Sequence, residues 1–401
     1  MKKSQIERLA EVDEFEVVRQ VQEFYADFMA IHPDLFTLNL TYPHNPIYGE
    51  ASQMWDGRSF QRTVENMLAV LLSLKKKPLI RYEKNSPMGK RLATEIQYQM
   101  QQEGQLFDFR RPDTPPILLI LERRNDPVTP LLNQWTYEAM VHELLGIVNG
   151  RVDMSRSLDP KTEVKEIVLS ADQDPFYKKN MHLNLGDLGA NIKTYVDEYQ
   201  VKTKSTAKIE SIAEMKRFME EFPEFKKMAG NVSKHVSLVS ELSKAVEKDR
   251  LLEVGELEQN LACVEQHATD FKNLQDMLAK SEISPENKVR LVMLYALRYE
   301  KSPYNSLSTL VDMLKKNGVE ERLVSMIPLL MRFAGADQRQ EDIFLNESIV
   351  SKSKNVFRGL KGAENVYTQH TPHLAQILDA LIKGRLKDTL YPFVDGTTRD
   401  K

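Results

Sequence analysis

The feature that most constrains this chain is the stretch ILLILERRNDPVTPLLNQWTYEAMVHELLGI, from Ile117 to Ile147. Its first residues, Ile117 to Leu121, form an unbroken apolar run preceded by Pro115 and Pro116. Such a run is too short to span a membrane and reads as a strand buried on both faces of a parallel sheet. A charged loop follows. Thr129 stands as a helix N-cap, with Pro130 at the first helical position, where its missing N–H costs nothing. The helix expected after it places Leu131, Leu132, Trp135 and Ala139 on one stripe. Met140, Val141 and Leu144 widen that arc until the helix must be largely buried. Strand, loop and helix in this order make a unit of an α/β domain.

Upstream, Ile6 to Phe28 is helical in pattern, Leu35 to Leu40 alternates like a strand, and Thr41 to Gly57 has the Pro and Gly content of a loop. A helix from Phe60 to Leu74, a strand from Leu79 to Tyr82 and a helix from Lys90 to Gln102 lead to the central unit. After Gly150 the pattern changes to long helices, with Lys165 to Ser170 the last plausible strand. Ile209, Ile212, Met215, Met219 and Phe222 keep helical spacing until Pro223, where the lost N–H and the restricted preceding residue predict a break or sharp kink. Phe225, Met228, Val232, Val236, Val239, Leu242 and Val246 then resume the spacing over about 22 residues, roughly 33 Å of helix. Two amphipathic helices joined at a proline make a helical hairpin or one bent rod. A third helix is expected over Leu257 to Leu278, and Ser284 with Pro285 caps a fourth that is apolar enough to be a core helix.

A net charge of −3 over 401 residues exerts no global pull toward nucleic acid or anionic lipid. The one cysteine, Cys263, excludes an internal disulfide and fits a reducing compartment. No run approaches the roughly 20 apolar residues that cross a bilayer, and the N-terminal MKKSQIERLAEVDEFE lacks the apolar core of a secretory signal. The chain is therefore expected to be cytoplasmic. His142 to Gly146 begins like a zinc-protease helix but lacks the second histidine, and Cys263 with His267 lacks a third ligand. His370 and His373 flank Pro372 in a turn, where they read as packing or capping residues. The basic run Lys352, Lys354, Arg358 and Lys361 reads as a solvated face. With no phosphate loop and no nucleophile elbow, neither an enzyme nor a cofactor or metal is expected.

The central stretch resembles the signature of the Sec/Munc-type (SM) syntaxin-binding family, and within it the vacuolar-sorting subgroup. In that family a strand ending in an acid–Arg pair leads through Asp and Thr-Pro to a helix of the type TYQAM. Here those places are Glu122, Arg123, Asp126, Thr129, Pro130 and the run from Thr136 to Met140 that includes Tyr137, with Trp135 just before it. Glu122 departs from the family's usual Asp. The likeness extends to Asn231 through Lys244, which resembles the second arm of the family's helical hairpin, and to Gly359 through Pro372 and Leu381 through Val394. Gly230, early in that arm, departs from its usual pattern.

The resemblance implies α/β plus mainly α: a Sec/Munc-like arch with an incomplete parallel-sheet α/β domain, then a large, mostly helical domain carrying a protruding hairpin. Residues 1–38 would be the remnant of the first domain, 39–155 the first part of the middle domain, 156–392 the third domain with its hairpin near 205–250, and 393–401 the start of the return. On this reading the chain is truncated at both ends relative to the family. The implied function is binding of syntaxin-type (Qa) SNAREs and assistance to SNARE assembly in endosome, trans-Golgi and vacuolar transport. The implied partners are that SNARE and the assembling SNARE complex, met by a monomer that reaches Golgi and endosomal membranes only through them. The hairpin tip, Phe222, Pro223, Glu224, Phe225, Lys226, Lys227 and Met228, is the implied contact, and the signature residues are implied to be structural. The alternatives are a helical scaffold that has lost SNARE handling and, remotely, an enzyme of unrecognised class.

Overall fold

The computed structural model describes residues 3–41, 43–49, 53–110, 112–155, 165–206, 212–344 and 366–395, with side chains 202–226 outside that description. Contacts group the chain into two units, Met1–Glu122 with Leu386–Lys401, and Arg123–Arg385. The strand before Glu122 pairs within the first unit, and the loop after it packs within the second.

In the first unit, α1 (Lys3–Val12) precedes a small antiparallel pair, β1 (Met29–His32) and β2 (Leu35–Thr37). The helix expected to run to Phe28 ends at Val12. Asp13 then accepts bonds from the amides of Val17 and Val18, and Phe15, Val17 and Phe24 stay more than 70% exposed, so no buried face supports a longer helix. α2 (Gly57–Ser73) starts where the Asp56 carboxylate accepts from the amides of Arg58 and Ser59. α3 (Pro87–Gln102) starts at the Ser86 hydroxyl, with Pro87 first in the helix. Between and after them, β3 (Leu79–Tyr82) and β4 (Ile117–Ile120) pair in parallel, Leu79 opposite Ile117 and Tyr82 opposite Ile120. Phe60, Val64, Ile80, Leu92, Ile96 and Met100 form the core over this sheet.

β4 is not buried on both faces as its composition suggests. Ile117 is 41% exposed and the other three residues are half-buried. Among the described residues β4 has only β3 beside it, while β3's far edge receives the 390–394 segment through Val394 N to Ile80 O and Tyr82 N to Pro392 O. Arg81 anchors that segment. Its guanidinium donates to Tyr391 O (2.8 Å), Leu386 O (3.3 Å) and Asp388 Oδ1 (2.6 Å), and lies over the Phe393 ring.

The second unit is mainly helical. After α4 (Tyr137–Met140) and a π turn over Val141–Leu145, β5 (Arg151–Asp153) and β6 (Glu166–Val168) form an antiparallel pair. α5 (Pro175–Asn180), α6 (Leu185–Thr206) and α7 (Ile212–Lys248) follow, then α8 (Leu251–Cys263), α9 (His267–Ala279) and α10 (Pro285–Arg298). α11 (Leu307–Lys316), α12 (Glu321–Val324), α13 (Met326–Ala334) and α14 (His373–Ile382) complete it. α10 is the core helix its composition predicts: Leu291 through Leu297 are all buried. The observed class, α/β followed by mainly α, is the one expected.

Three helix expectations are corrected. α7 runs unbroken through Pro223, because one missing N–H removes a single hydrogen bond from a 37-residue helix whose flanking bonds persist. α6 is described as far as Thr206 and α7 from Ile212; residues 207–211 lie outside the described residues. The third helix is two, since Val264 is extended at φ −128° and ψ 138° between α8 and α9. The helix expected from Pro130 begins only at Tyr137. Thr129–Leu131 is a 3-10 turn, and Leu132 is extended because buried partners on other helices take up the local polar groups.

Candidate functional site

Of the signature residues, Asp126, Trp135 and Tyr137 are buried, Glu122 and Thr129 are half-buried, and Arg123 and Pro130 are exposed. In the first unit, Glu122 accepts from Ser86 Oγ at 2.6 Å and from the Tyr48 hydroxyl at 3.4 Å, and its amide donates to the buried Glu83 carboxylate. The longer side chain that replaces the family's Asp is thus hydrogen-bonded. In the second unit Asp126 is a hub: Oδ1 accepts from Thr129 N (3.1 Å), and Oδ2 accepts from Thr129 Oγ1 (2.7 Å) and His373 N (3.1 Å). Thr129 is therefore not the N-cap its spacing suggests. With its proton on Asp126, its oxygen accepts from His370 Nε2 at 3.0 Å. Burial pushes both His370 and His373 down in pKa, which favours their neutral rings. Arg123 donates to the Asp126 carbonyl at 3.2 Å, and Pro130 is exposed in the turn.

Farther along the same loop, Asn133 donates from both its amide and its side chain to the buried Glu258 of α8, each at 2.8 Å. Arg290 of α10 donates to Leu131 O at 2.9 and 3.1 Å and stands 3.6 Å from Glu258. Burial pushes the Glu258 carboxyl up to about 7, against the opposing pull of Arg290 and Asn133. Trp135 is 6% exposed, tilted on Tyr367 at 5.1 Å and pressed on Gly255. These groups dock loop to helices.

The helical pair, α6 and α7, pack on one another, and their base is built on polar contacts. Tyr137 Oη lies 2.8 Å from Nδ1 of His235 on α7, and His235 Nε2 lies 2.8 Å from Asp174 Oδ2. Asp174 also pairs with Lys234 and caps α5 by accepting from Tyr177 N at 3.0 Å. Burial alone would raise the Asp174 carboxyl, but the bonds from His235 and Lys234 outweigh it and hold it well below the usual range. Burial keeps His235 below its ordinary value despite the carboxylate beside it. A neutral ring donating from Nε2 to Asp174 and accepting at Nδ1 from Tyr137 satisfies every group. From α5, Phe176 stacks on Tyr195 of α6 (4.5 Å, 16°) and tilts on His235 (4.7 Å). Asn180 Oδ1 accepts from Asn191 of α6 at 2.6 Å.

Of the expected tip, the backbone of Phe222 to Met228 belongs to α7, Lys227 is exposed and Met228 is half-buried. The side chains of Phe222, Pro223, Glu224, Phe225 and Lys226 lie outside the described residues. Nearer the base, Val232, Leu238, Leu242 and Val246 are buried, so that part of the stripe is core. Asp174, Phe176, His235, Glu258 and Arg290 escaped sequence reasoning. Only Asp174 carried a readable signal, as an N-cap residue before Pro175. His267 contacts Tyr295 Oη at 2.8 Å, and among the described residues no three metal-ligating side chains gather.

The Sec1 family profile matches residues 1–400. Vacuolar protein sorting-associated protein 45 of Schizosaccharomyces pombe is 50% identical over 398 residues, 99% of this chain and 70% of that protein. The Homo sapiens protein of the same name is 47% identical over 401 residues, 100% of this chain and 69% of its own length. The solved structure described as "SM Protein Vps45 in Complex with Qa SNARE Tlg2 (1-310)" superposes with a TM-score of 0.91 at 57% identity, covering 99% of this chain and 70% of that one. The "Crystal structure of the Unc18-syntaxin 1 complex from Monosiga brevicollis" shares the fold at a TM-score of 0.74 and 20% identity, covering 98% of this chain and 70% of that one.

Proposed function

Because this chain belongs to the Sec1 family, we propose that it binds a syntaxin-type (Qa) SNARE and assists SNARE assembly in vesicle docking and fusion, in endosome, trans-Golgi and vacuolar transport. The observation that carries this reading is its likeness, over nearly its whole length, to a protein solved with a Qa SNARE bound. The geometry is compatible with it. A SNARE segment is an amphipathic helix, and a two-helix arm offers a matching surface for contacts at i, i+3, i+4 and i+7. In this reading the contact lies at Phe222, Pro223, Glu224, Phe225, Lys226, Lys227 and Met228, while Asp126, Thr129, Trp135 and Tyr137 hold the fold beneath. The work is done by binding, without catalysis. The chain acts as a monomer at the cytoplasmic face of Golgi and endosomal membranes, reaching them through its SNARE. No helix among the described residues is long and apolar enough to cross a membrane.

The test is a pull-down with the cytosolic part of an endosomal syntaxin. Capture by the chain, reduced when Pro223 to Lys227 are replaced by Gly and Ser, is the expected result. Undiminished capture by that variant would move the contact elsewhere, and no capture by the unaltered chain would leave a helical scaffold that has lost SNARE handling.

A further inference from the structure

We propose that α5 and its Asp174 cap form a socket that fixes the direction and register of the α6/α7 arm, with Asp174, Phe176 and His235 as positioning residues for whatever the arm engages. The functional consequence rests on reading the arm as the SNARE contact; the socket itself does not.

The contacts converge on one short helix. α5 touches α6 twice, through Phe176 on Tyr195 and Asn180 with Asn191, and touches α7 through Phe176 and Asp174 on His235. Lys234, adjacent to His235, adds a second bond to Asp174. His235 completes the set by reaching Tyr137, at the start of the signature helix. One six-residue helix thus grips both arms and, through His235, the part of the chain whose sequence is most characteristic of the family.

Apolar packing alone would not hold such an arm at one angle. Burial is non-directional, and neighbouring helices can slide or rotate by small amounts with little loss of buried area. Hydrogen bonds near 2.8 Å are directional, and leaving a buried donor or acceptor unpaired is costly. A rotation of α7 that displaced His235 would leave the Tyr137 hydroxyl without this partner and take His235 from Asp174 Oδ2, while Oδ1 kept the Tyr177 amide. A slip of α6 would unstack Tyr195 and part Asn191 from Asn180. The polar contacts therefore select one arrangement among several that the apolar core would accept.

The experiment uses the full chain with Cys263 replaced by Ser and spin labels at Lys227→Cys on α7 and Glu256→Cys on α8, both exposed positions. Pulsed electron resonance reads the distance distribution between them, with circular dichroism and thermal melting alongside to confirm folding. Phe176→Leu and Tyr137→Phe should each widen the distribution, whereas Phe176→Tyr, which keeps the stacked ring, should leave it narrow. Syntaxin affinity should fall by roughly tenfold in the two widened variants. Equal widths in all folded variants would overturn the socket. Widening in a chain whose unaltered form ignores syntaxin would support the socket while removing the SNARE reading, so the two failures are separable.

Discussion

The hydroxyl of Tyr137 and Nδ1 of His235 meet at 2.8 Å, both residues essentially excluded from solvent. Behind His235, Asp174 accepts from its Nε2 and is shared with Lys234. Asp174→Ala would strand three donor groups, His235 Nε2, the Lys234 ammonium and the Tyr177 amide, at a cost of about 3–5 kcal/mol. Asp174→Asn keeps an acceptor and should cost less. Urea unfolding of both variants measures the difference, and near-equal losses would mean the carboxylate charge is immaterial.

The same carboxylate has a pH signature. Its folded-state pKa lies below the ordinary range, so its stabilisation is complete above about pH 4 and is lost as the pH falls through the folded value. The wild type should therefore shed more stability than Asp174→Asn on acidification below pH 4. Parallel acid-unfolding curves for the two proteins would contradict this.

Glu258 should act in the opposite sense. Its pKa rises from 4.5 to about 7 on folding, so its contribution is fully present below pH 4.5 and fades as the pH climbs through 7. Between those limits the wild type should lose about 3 kcal/mol from this group. Glu258→Gln, without a titrating proton, should show a flatter profile from pH 5 to 8. Unfolding midpoints at four pH values measure it, and matching slopes would place the ionised carboxylate on firmer terms with Arg290 than burial suggests.

Local signals were legible where a cap and a proline agree. Ser284 with Pro285 starts a helix where the pattern predicts, and Leu79 to Tyr82 is the strand expected, while α3 begins at Pro87, three residues before the expected Lys90. They failed where a distant partner supplies the bonds. The turn after Thr129 looks helical until Glu258 and Arg290, more than 100 residues away, satisfy Asn133 and Leu131. Pro223 looks like an end until the length of α7 carries the helix past it. The family resemblance pointed to an arm near 205–250 and to the signature loop. It did not expose the base, because Asp174 and His235 stand 61 residues apart and helical periodicity is blind to such pairs.

Arg81 should govern how firmly the 386–395 segment is held. Its side chain is 6% exposed and spends its donors on Tyr391 O, Leu386 O and Asp388. Arg81→Ala removes these bonds and the contact with Phe393, for a loss of about 2–4 kcal/mol. Amide exchange at Tyr82 and Val394, whose N–H groups pair across this edge, should accelerate far more than exchange in α10. A uniform change across the chain would instead mean that the segment unfolds only with everything else.

Two glycines in long helices should respond to alanine with opposite signs, because helix propensity is the same at both and space is not. At Gly230 a Cβ meets nothing within 4 Å, the residue is exposed, and α7 continues on either side. Gly230→Ala should therefore raise stability by up to about 1 kcal/mol, and by less if local opening near Pro223 decouples the segment from global unfolding. At Gly255 the same atom would sit 3.0 Å from Cζ2 of Trp135. The indole is rigid, is pinned between α8 and Tyr367, and has little room to retreat. Overpacking there costs about 1–3 kcal/mol, enough to exceed the propensity gain of about 1 kcal/mol, so Gly255→Ala should be destabilising overall. Thermal melts of the two single variants decide the matter, with Trp135 fluorescence expected to shift only in the second. Stabilisation at both positions would mean that the indole yields, and that the close approach of α8 to Trp135 is a preference of packing and not a requirement of the fold.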